Sequence, residues 1–192
     1  MSDNSVEDSF SSDHSCSNCS PSDKLDIQVK ADNKDLTLNG LPVQDEFAPN
    51  SICFGCGPSN KDGLQLKSYR STSGLIAEFE CEEKHQAFPG VINGGIIGSL
   101  IDCHGNWTAA IAIMDQRGDE KPSCTVTANY SVKLIRPTPL DELLVITSKV
   151  EELFEDRALI SMELHAGEKL CAKGNGLFVS VKEGHPAYHR WQ

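Results

Sequence analysis

The residues best suited to do chemistry form one short run, Asn93-Gly94-Gly95, with Asp102 following a little over two helical turns later. A carboxylate inside an otherwise apolar stretch is costly unless it is wetted, paired or used. Used, it can attack an activated carbonyl or take a proton from the water that does. The paired glycines leave backbone N–H groups uncovered at the positive end of a helix, where an anion or a developing oxyanion can bind. The same glycines would also suit a tight entry turn or close helix–sheet packing, and Asp102 could sit on a solvated face, so residue types alone leave both readings open. Distance adds a constraint. From Gly94 to Asp102 a helix rises about 12 Å, whereas an oxyanion donor and an attacking group must both lie within about 3 Å of one carbonyl. One chain cannot supply both, so cooperation between them predicts a second, antiparallel helix and a two-fold dimer with two composite sites.

The elements that must hold these residues follow from pattern. Asn93 is a favoured helix N-cap, Pro89-Gly90 lies just before it, and Ile96, Ile97, Leu100, Ile101, Ile111 and Ile113 supply a broad apolar face. Glycines 94, 95, 98 and 105 weaken the helix's own propensity, which requires it to be wrapped by tertiary structure. Around it, residues 63–70, 75–81, 124–135, 143–154, 158–165 and 170–181 alternate or are β-branched and are separated by turn signals, as strands are. Two strands, a buried helix and four more strands predict an α+β domain, an antiparallel sheet curled around a long central helix.

Charge divides the chain. Of the net −11, a net of −7 falls on residues 1–51, where ten acidic residues face three lysines, leaving −4 for the rest. Nine of the first 22 residues are serine and apolar residues are sparse, so this segment reads as a largely disordered extension. Within it, residues 36–43 could dock as a strand or turn, with Asn39-Gly40 as the turn signal. A single domain over 52–183 and a polar tail over 184–192 complete the division. The acidity and the lack of a Lys/Arg stripe argue against nucleic acid as a partner. No apolar run is long enough to cross a bilayer, and no signal or transit peptide is visible, so the expected compartment is the cytoplasm, with no membrane insertion. Cys16-x-x-Cys19 and Cys53-x-x-Cys56 together offer four thiolates, an arithmetic compatible with structural zinc, with His14 a competing ligand. One pair lies in the serine-rich extension and the other in a Gly-rich bend, so no metal is assigned and no cofactor is expected. Cys103 and His104 are read as packing residues pointing away from Asp102.

The run Cys53-Phe54-Gly55-Cys56-Gly57-Pro58 through Gly63-Leu64, then His85-Gln86-Ala87-Phe88-Pro89-Gly90-Val91-Ile92-Asn93-Gly94-Gly95, then Asp102, Tyr130 and Arg136-Pro137, resembles the hotdog-fold acyl-CoA thioesterases of the PaaI-like superfamily. The resemblance covers roughly residues 52–182. It implies a hotdog fold, a homodimer or dimer of dimers, and hydrolysis of an acyl-CoA thioester at the subunit interface. Carried over by position, Asp102 matches the catalytic carboxylate, Gly94 the glycine whose amide polarises the carbonyl, and Thr127 a Ser/Thr that assists the carboxylate or positions water. Asn106, one turn beyond Asp102, could orient it. Gly95, His85 and Gln86 are candidate substrate contacts. Lys133, Arg136 and Arg157 are candidate partners for the coenzyme's phosphates. The chain departs from the family pattern at Asn93, where relatives carry a histidine; an amide can cap the helix and donate a hydrogen bond but cannot be protonated. That disfavours hydratase chemistry and leaves thioester hydrolysis, with a non-catalytic acyl-CoA-binding module as the alternative.

Overall fold

The computed structural model describes residues 40–191. In chain order these form helix α1 (Val43–Phe47), strands β1 (Lys67–Arg70) and β2 (Leu75–Phe79), a single 3-10 turn (Glu83–His85), the short strands β3 (Gln86–Phe88) and β4 (Val91–Ile92), helix α2 (Gly94–Arg117), and strands β5 (Thr125–Leu134), β6 (Leu144–Leu153), β7 (Arg157–Ala166) and β8 (Lys169–Ser180). Six strands make one antiparallel sheet in the order β1-β2-β6-β7-β8-β5. The 24-residue α2 packs along one face of that sheet, the hotdog arrangement expected from the sequence.

Alternation explains the layer. Along β7 every second residue, Ala158, Ile160, Met162, Leu164 and Ala166, is buried, while the residues between are partly open. These side chains meet Leu100, Ile101 and Trp107 of α2 and Phe178 of β8, each fully or almost fully buried, and burying side chains of this size stabilises the fold by about 1.5–3 kcal/mol each. The glycines that weaken α2 are part of the same fit. A Cβ on Gly105 would lie 2.6 Å from Met162 Sδ and 2.7 Å from Phe178 Cζ, so only glycine lets the helix sit this low on the sheet. The helix ends at Gly118, whose φ of 69° supplies the left-handed cap.

Buried polar groups on α2 are satisfied by neighbours. His104, fully buried, lies 2.9 Å from Ser68 Oγ through Nδ1 and donates from Nε2 to the Leu75 carbonyl at 3.2 Å. Burial pushes its pKa down to about 4, so the ring is neutral at physiological pH. Gln44 closes the chain of contacts, donating to Ser68 Oγ at 3.0 Å and accepting from its amide at 2.8 Å.

Several boundaries differ from the sequence reading. The ordered fold starts before residue 52, because Val43, Gln44 and Ala48 are buried. Residues 63–66 do not extend β1; the Leu64 and Leu66 amides bond instead to the carbonyls of Phe54 and Gly55, at 2.7 and 3.0 Å, and Gln65 adopts a φ of 51°. Pro89-Gly90, just ahead of the helix, forms the turn of the β3–β4 hairpin, with Gly90 at a φ of 80°. The 184–192 tail is not free of the domain, since Trp191 is buried. Residues 36–39 of the 36–43 stretch, together with His14, Cys16 and Cys19, lie outside the described residues. Among those described, no helix is long and apolar enough to cross a membrane.

Candidate active site

Asn93 caps α2 as expected, its Oδ1 accepting from the Gly95 amide at 2.7 Å. The Ile96 and Ile97 amides bond to the Asn93 carbonyl at 3.0 and 3.2 Å. Among the described residues, the first-turn amide left without an acceptor is that of Gly94, and it is the donor the helix start can offer an oxyanion. Gly95, read as a substrate contact, has instead spent its amide on the cap.

Two turns along, Asp102 is half-buried on a stripe with Gly95 and Ser99, the more open face of an otherwise buried helix, with Asn106 buried one turn further on. Thr127 of β5 donates its hydroxyl to Asp102 Oδ1 at 2.7 Å. Desolvation raises the Asp102 pKa above the ordinary carboxylate value; the Thr127 hydrogen bond and, more weakly, Arg190 oppose that rise. A carboxylate held in this way is a stronger base than a solvated one and is oriented by its threonine. Asn106 does not touch Asp102 directly. It donates to the Thr125 carbonyl at 3.3 Å and to Thr127 Oγ1 at 3.5 Å, so it acts through the threonine.

Asp102, Thr127 and Asn106 line a cavity of about 280 Å³ together with residues 51–53 and the C-terminal Arg190 and Trp191. Gly94 opens on a different cavity, of about 420 Å³, formed with Phe88, Ile97, Leu134 and Arg136. Thr138 Oγ1, buried in the lining of that second cavity, has no hydrogen-bond partner among the described residues. The donor and the carboxylate of one chain therefore face separate spaces.

The thioesterase superfamily model matches residues 89–172, which span the β3–β4 turn, α2 and strands β5 to the start of β8. A crystal structure of a thioesterase superfamily protein from Shewanella loihica is 31% identical, with a TM-score of 0.53 over 65% of this chain and 98% of that one. The chain belongs to the thioesterase superfamily. A Pseudomonas aeruginosa protein named "Putative esterase" is 26% identical over 54% of this chain and 73% of its own length. The PaaI protein of Escherichia coli shares the fold, with a TM-score of 0.52 at 14% identity over 62% of this chain and 81% of that one.

Other expected site residues of this thioesterase-superfamily chain are engaged elsewhere. His85 is buried, accepts from the Glu82 amide at 3.0 Å and lies against Phe79 with ring centroids 5.6 Å apart. Gln86 donates to the Glu83 carbonyl at 3.0 Å and accepts from the Gly90 amide at 2.6 Å, closing the β3–β4 turn. Gln86 spends both its amide atoms on the hairpin that delivers Asn93, and His85 commits Nδ1 to it. Arg157 stacks on Phe154, 4.7 Å from the ring centroid, and lines neither cavity. Lys133 is exposed on β5, and Arg136 lies in the Gly94 cavity.

The sequence reading missed the C-terminal return. Arg190 donates to Asn106 Oδ1 at 3.0 Å and to the Thr125 carbonyl at 2.7 Å, and Trp191 stacks on Trp107 at 4.2 Å and 9°. A tryptophan in an otherwise polar ending was the available signal. Cys103 was read as pointing away from the site, but it lines the Asp102 cavity with Cys53 and Cys56.

Proposed function

We propose that this protein is an acyl-CoA thioesterase, working as a homodimer or dimer of dimers. The observation that carries the reading is a half-buried carboxylate, Asp102, oriented by Thr127 at 2.7 Å and opening on a cavity, in a member of the thioesterase superfamily. In the reaction the carbonyl carbon gains a bond to oxygen, its bond to sulfur breaks, and the thiolate leaving group takes up a proton. Asp102 supplies the oxygen directly, forming an anhydride that water then hydrolyses, or removes the proton from attacking water. Incorporation of heavy oxygen from labelled water into Asp102 during a single turnover marks the first route. The Gly94 amide stabilises the oxyanion in both. Arg136, in the Gly94 cavity, is suited to the coenzyme's phosphates.

The two separate cavities and β5 support the dimer. That strand is a ten-residue sheet edge, exposed over Ala128–Ser131 and at Leu134, with exposed Ile135 just beyond its end. An uncovered edge of this length invites pairing with a second copy. Pairing through β5 brings the open α2 stripe of each chain towards the other. None of the six described cysteines is paired in a disulfide, which supports a reducing compartment such as the cytoplasm.

Thiol release from a panel of aliphatic and aromatic acyl-CoAs tests the activity. Turnover of at least one is expected. Binding of acyl-CoA without any turnover would replace the reading by a non-catalytic module. Within the active panel, Thr127→Ala is expected to lower kcat about tenfold or more with KM little changed, and Thr127→Ser to restore most of it. Restoration by serine separates the hydroxyl's hydrogen bond from packing of the strand.

A further inference from the structure

We infer that Cys53, Cys56 and Cys103 form a binding site for a soft divalent metal ion, zinc, in the wall of the Asp102 cavity. The three sulfur atoms all lie within 4.8 Å of one another, and Cys53 Sγ and Cys103 Sγ are 3.8 Å apart. Four ligands at a Zn–S distance of about 2.3 Å on a tetrahedron are separated by about 3.8 Å along each edge, so the cluster is already close to the size of such a site. Two ligands come from one turn of the Cys53-x-x-Cys56 loop and the third from the middle of α2, a spacing that only the tertiary fold brings together.

The loop is shaped for this approach. A side chain on Gly55 would overlap Cys103 Sγ. One on Gly57 would run into the backbone of Ser51 and Cys53, against which the turn closes through a 2.8 Å bond from the Gly57 amide to the Cys53 carbonyl. Trp107 Nε1 donates to Cys56 Sγ at 3.3 Å, a hydrogen bond that a metal-bound sulfur at that position keeps. The group is also asymmetric in access: Cys56 and Cys103 are buried while Cys53 is partly open and faces the cavity, which leaves the fourth position to a solvent ligand.

The ion binds by displacing protons from the thiols, with no change of oxidation state. Its effect is mechanical. Bound there, it fastens the 51–57 loop to α2 one residue from Asp102 and fixes that wall of the cavity. Histidine and the paired Cys16 and Cys19 are not needed as ligands, which distinguishes this site from a four-thiolate site built from the two Cys-x-x-Cys pairs.

The test is metal analysis of the full chain purified from zinc-supplemented growth and dialysed without chelator. About one zinc per chain is expected, with content falling at least about tenfold in Cys53→Ser and Cys103→Ser and unchanged in Cys81→Ser, Cys171→Ser and the Cys16→Ser/Cys19→Ser double variant. Where a cluster variant fails to fold, wild-type protein decides: a mercurial that captures thiolates should release the zinc in step with three thiols, and cobalt substitution should give sulfur-to-cobalt charge-transfer absorption. Zinc that follows Cys16 and Cys19, a chain that binds no zinc even on direct addition to the reduced protein, or a Cys53–Cys103 disulfide in the freshly isolated protein would each overturn the site. Because the readout is metal content, the result is independent of whether any acyl-CoA is hydrolysed.

Discussion

Asp102→Asn is expected to lower kcat for the best acyl-CoA substrate by about 1,000-fold, equivalent to about 4 kcal/mol of transition-state stabilisation, while leaving the protein folded and its oligomeric state unchanged. The substitution keeps the shape of the side chain and an oxygen that can still accept the Thr127 hydroxyl, which is 2.7 Å from Asp102 Oδ1 in the wild type. It removes the negative charge, and with it both the nucleophile and the base. Desolvation raises the pKa of Asp102, so the charged form is disfavoured by the fold. A neutral amide relieves that burden, and the variant's Tm should therefore equal or exceed that of the wild type. A substrate assay by thiol release and a thermal melt check both halves. Retained turnover would remove Asp102 from the chemistry, whereas loss of turnover with a lowered Tm would mean the residue had been holding the structure together.

How far the sequence led to this site depends on the range of the interactions involved. The α2 helix and the six strands of the main sheet were legible because each carries its own periodicity, and their edges moved by only a few residues. The candidate site pair was legible in part: Asp102 stood out as a charge in an apolar run, and Thr127 came through the family resemblance. Contacts made by irregular chain were not. Nothing periodic places Cys103 beside Cys53, since that contact depends on the path of the 51–57 loop, nor Arg190 beside Asn106, since that depends on the return of the last residues over α2. His85 and Gln86 misled for the opposite reason. The Gln86 amide atoms and His85 Nδ1 are consumed within a few residues, by Glu82, Glu83 and Gly90, and residue type does not reveal such local use.

Mixing two inactive variants should restore activity to about a quarter of wild type if each site is shared between subunits. The partner for Asp102→Asn is Gly94→Pro, which deletes the one first-turn amide of α2 left without an acceptor among the described residues. Proline is tolerated at the first position of a helix, and the preceding Asn93, at φ −65° and ψ 133°, already has the extended conformation that a following proline requires. The added ring meets the movable end of Leu134, whose Cδ1 lies 3.1 Å from the position of a Cβ. Gly94→Pro alone should lose about 100- to 1,000-fold in kcat, the usual cost of removing an oxyanion donor. In a mixed dimer the Gly94 amide of one chain meets the Asp102 of the other at one site, and the second site lacks both. Random reassociation makes about half the dimers mixed, each with one working site of two, hence the quarter. If donor and carboxylate served one site within a single chain, every chain in the mixture would remain defective and activity would stay at the level of the separate variants. The rise of about 12 Å between the two groups along the helix, and the separate cavities on which they open, favour the shared arrangement.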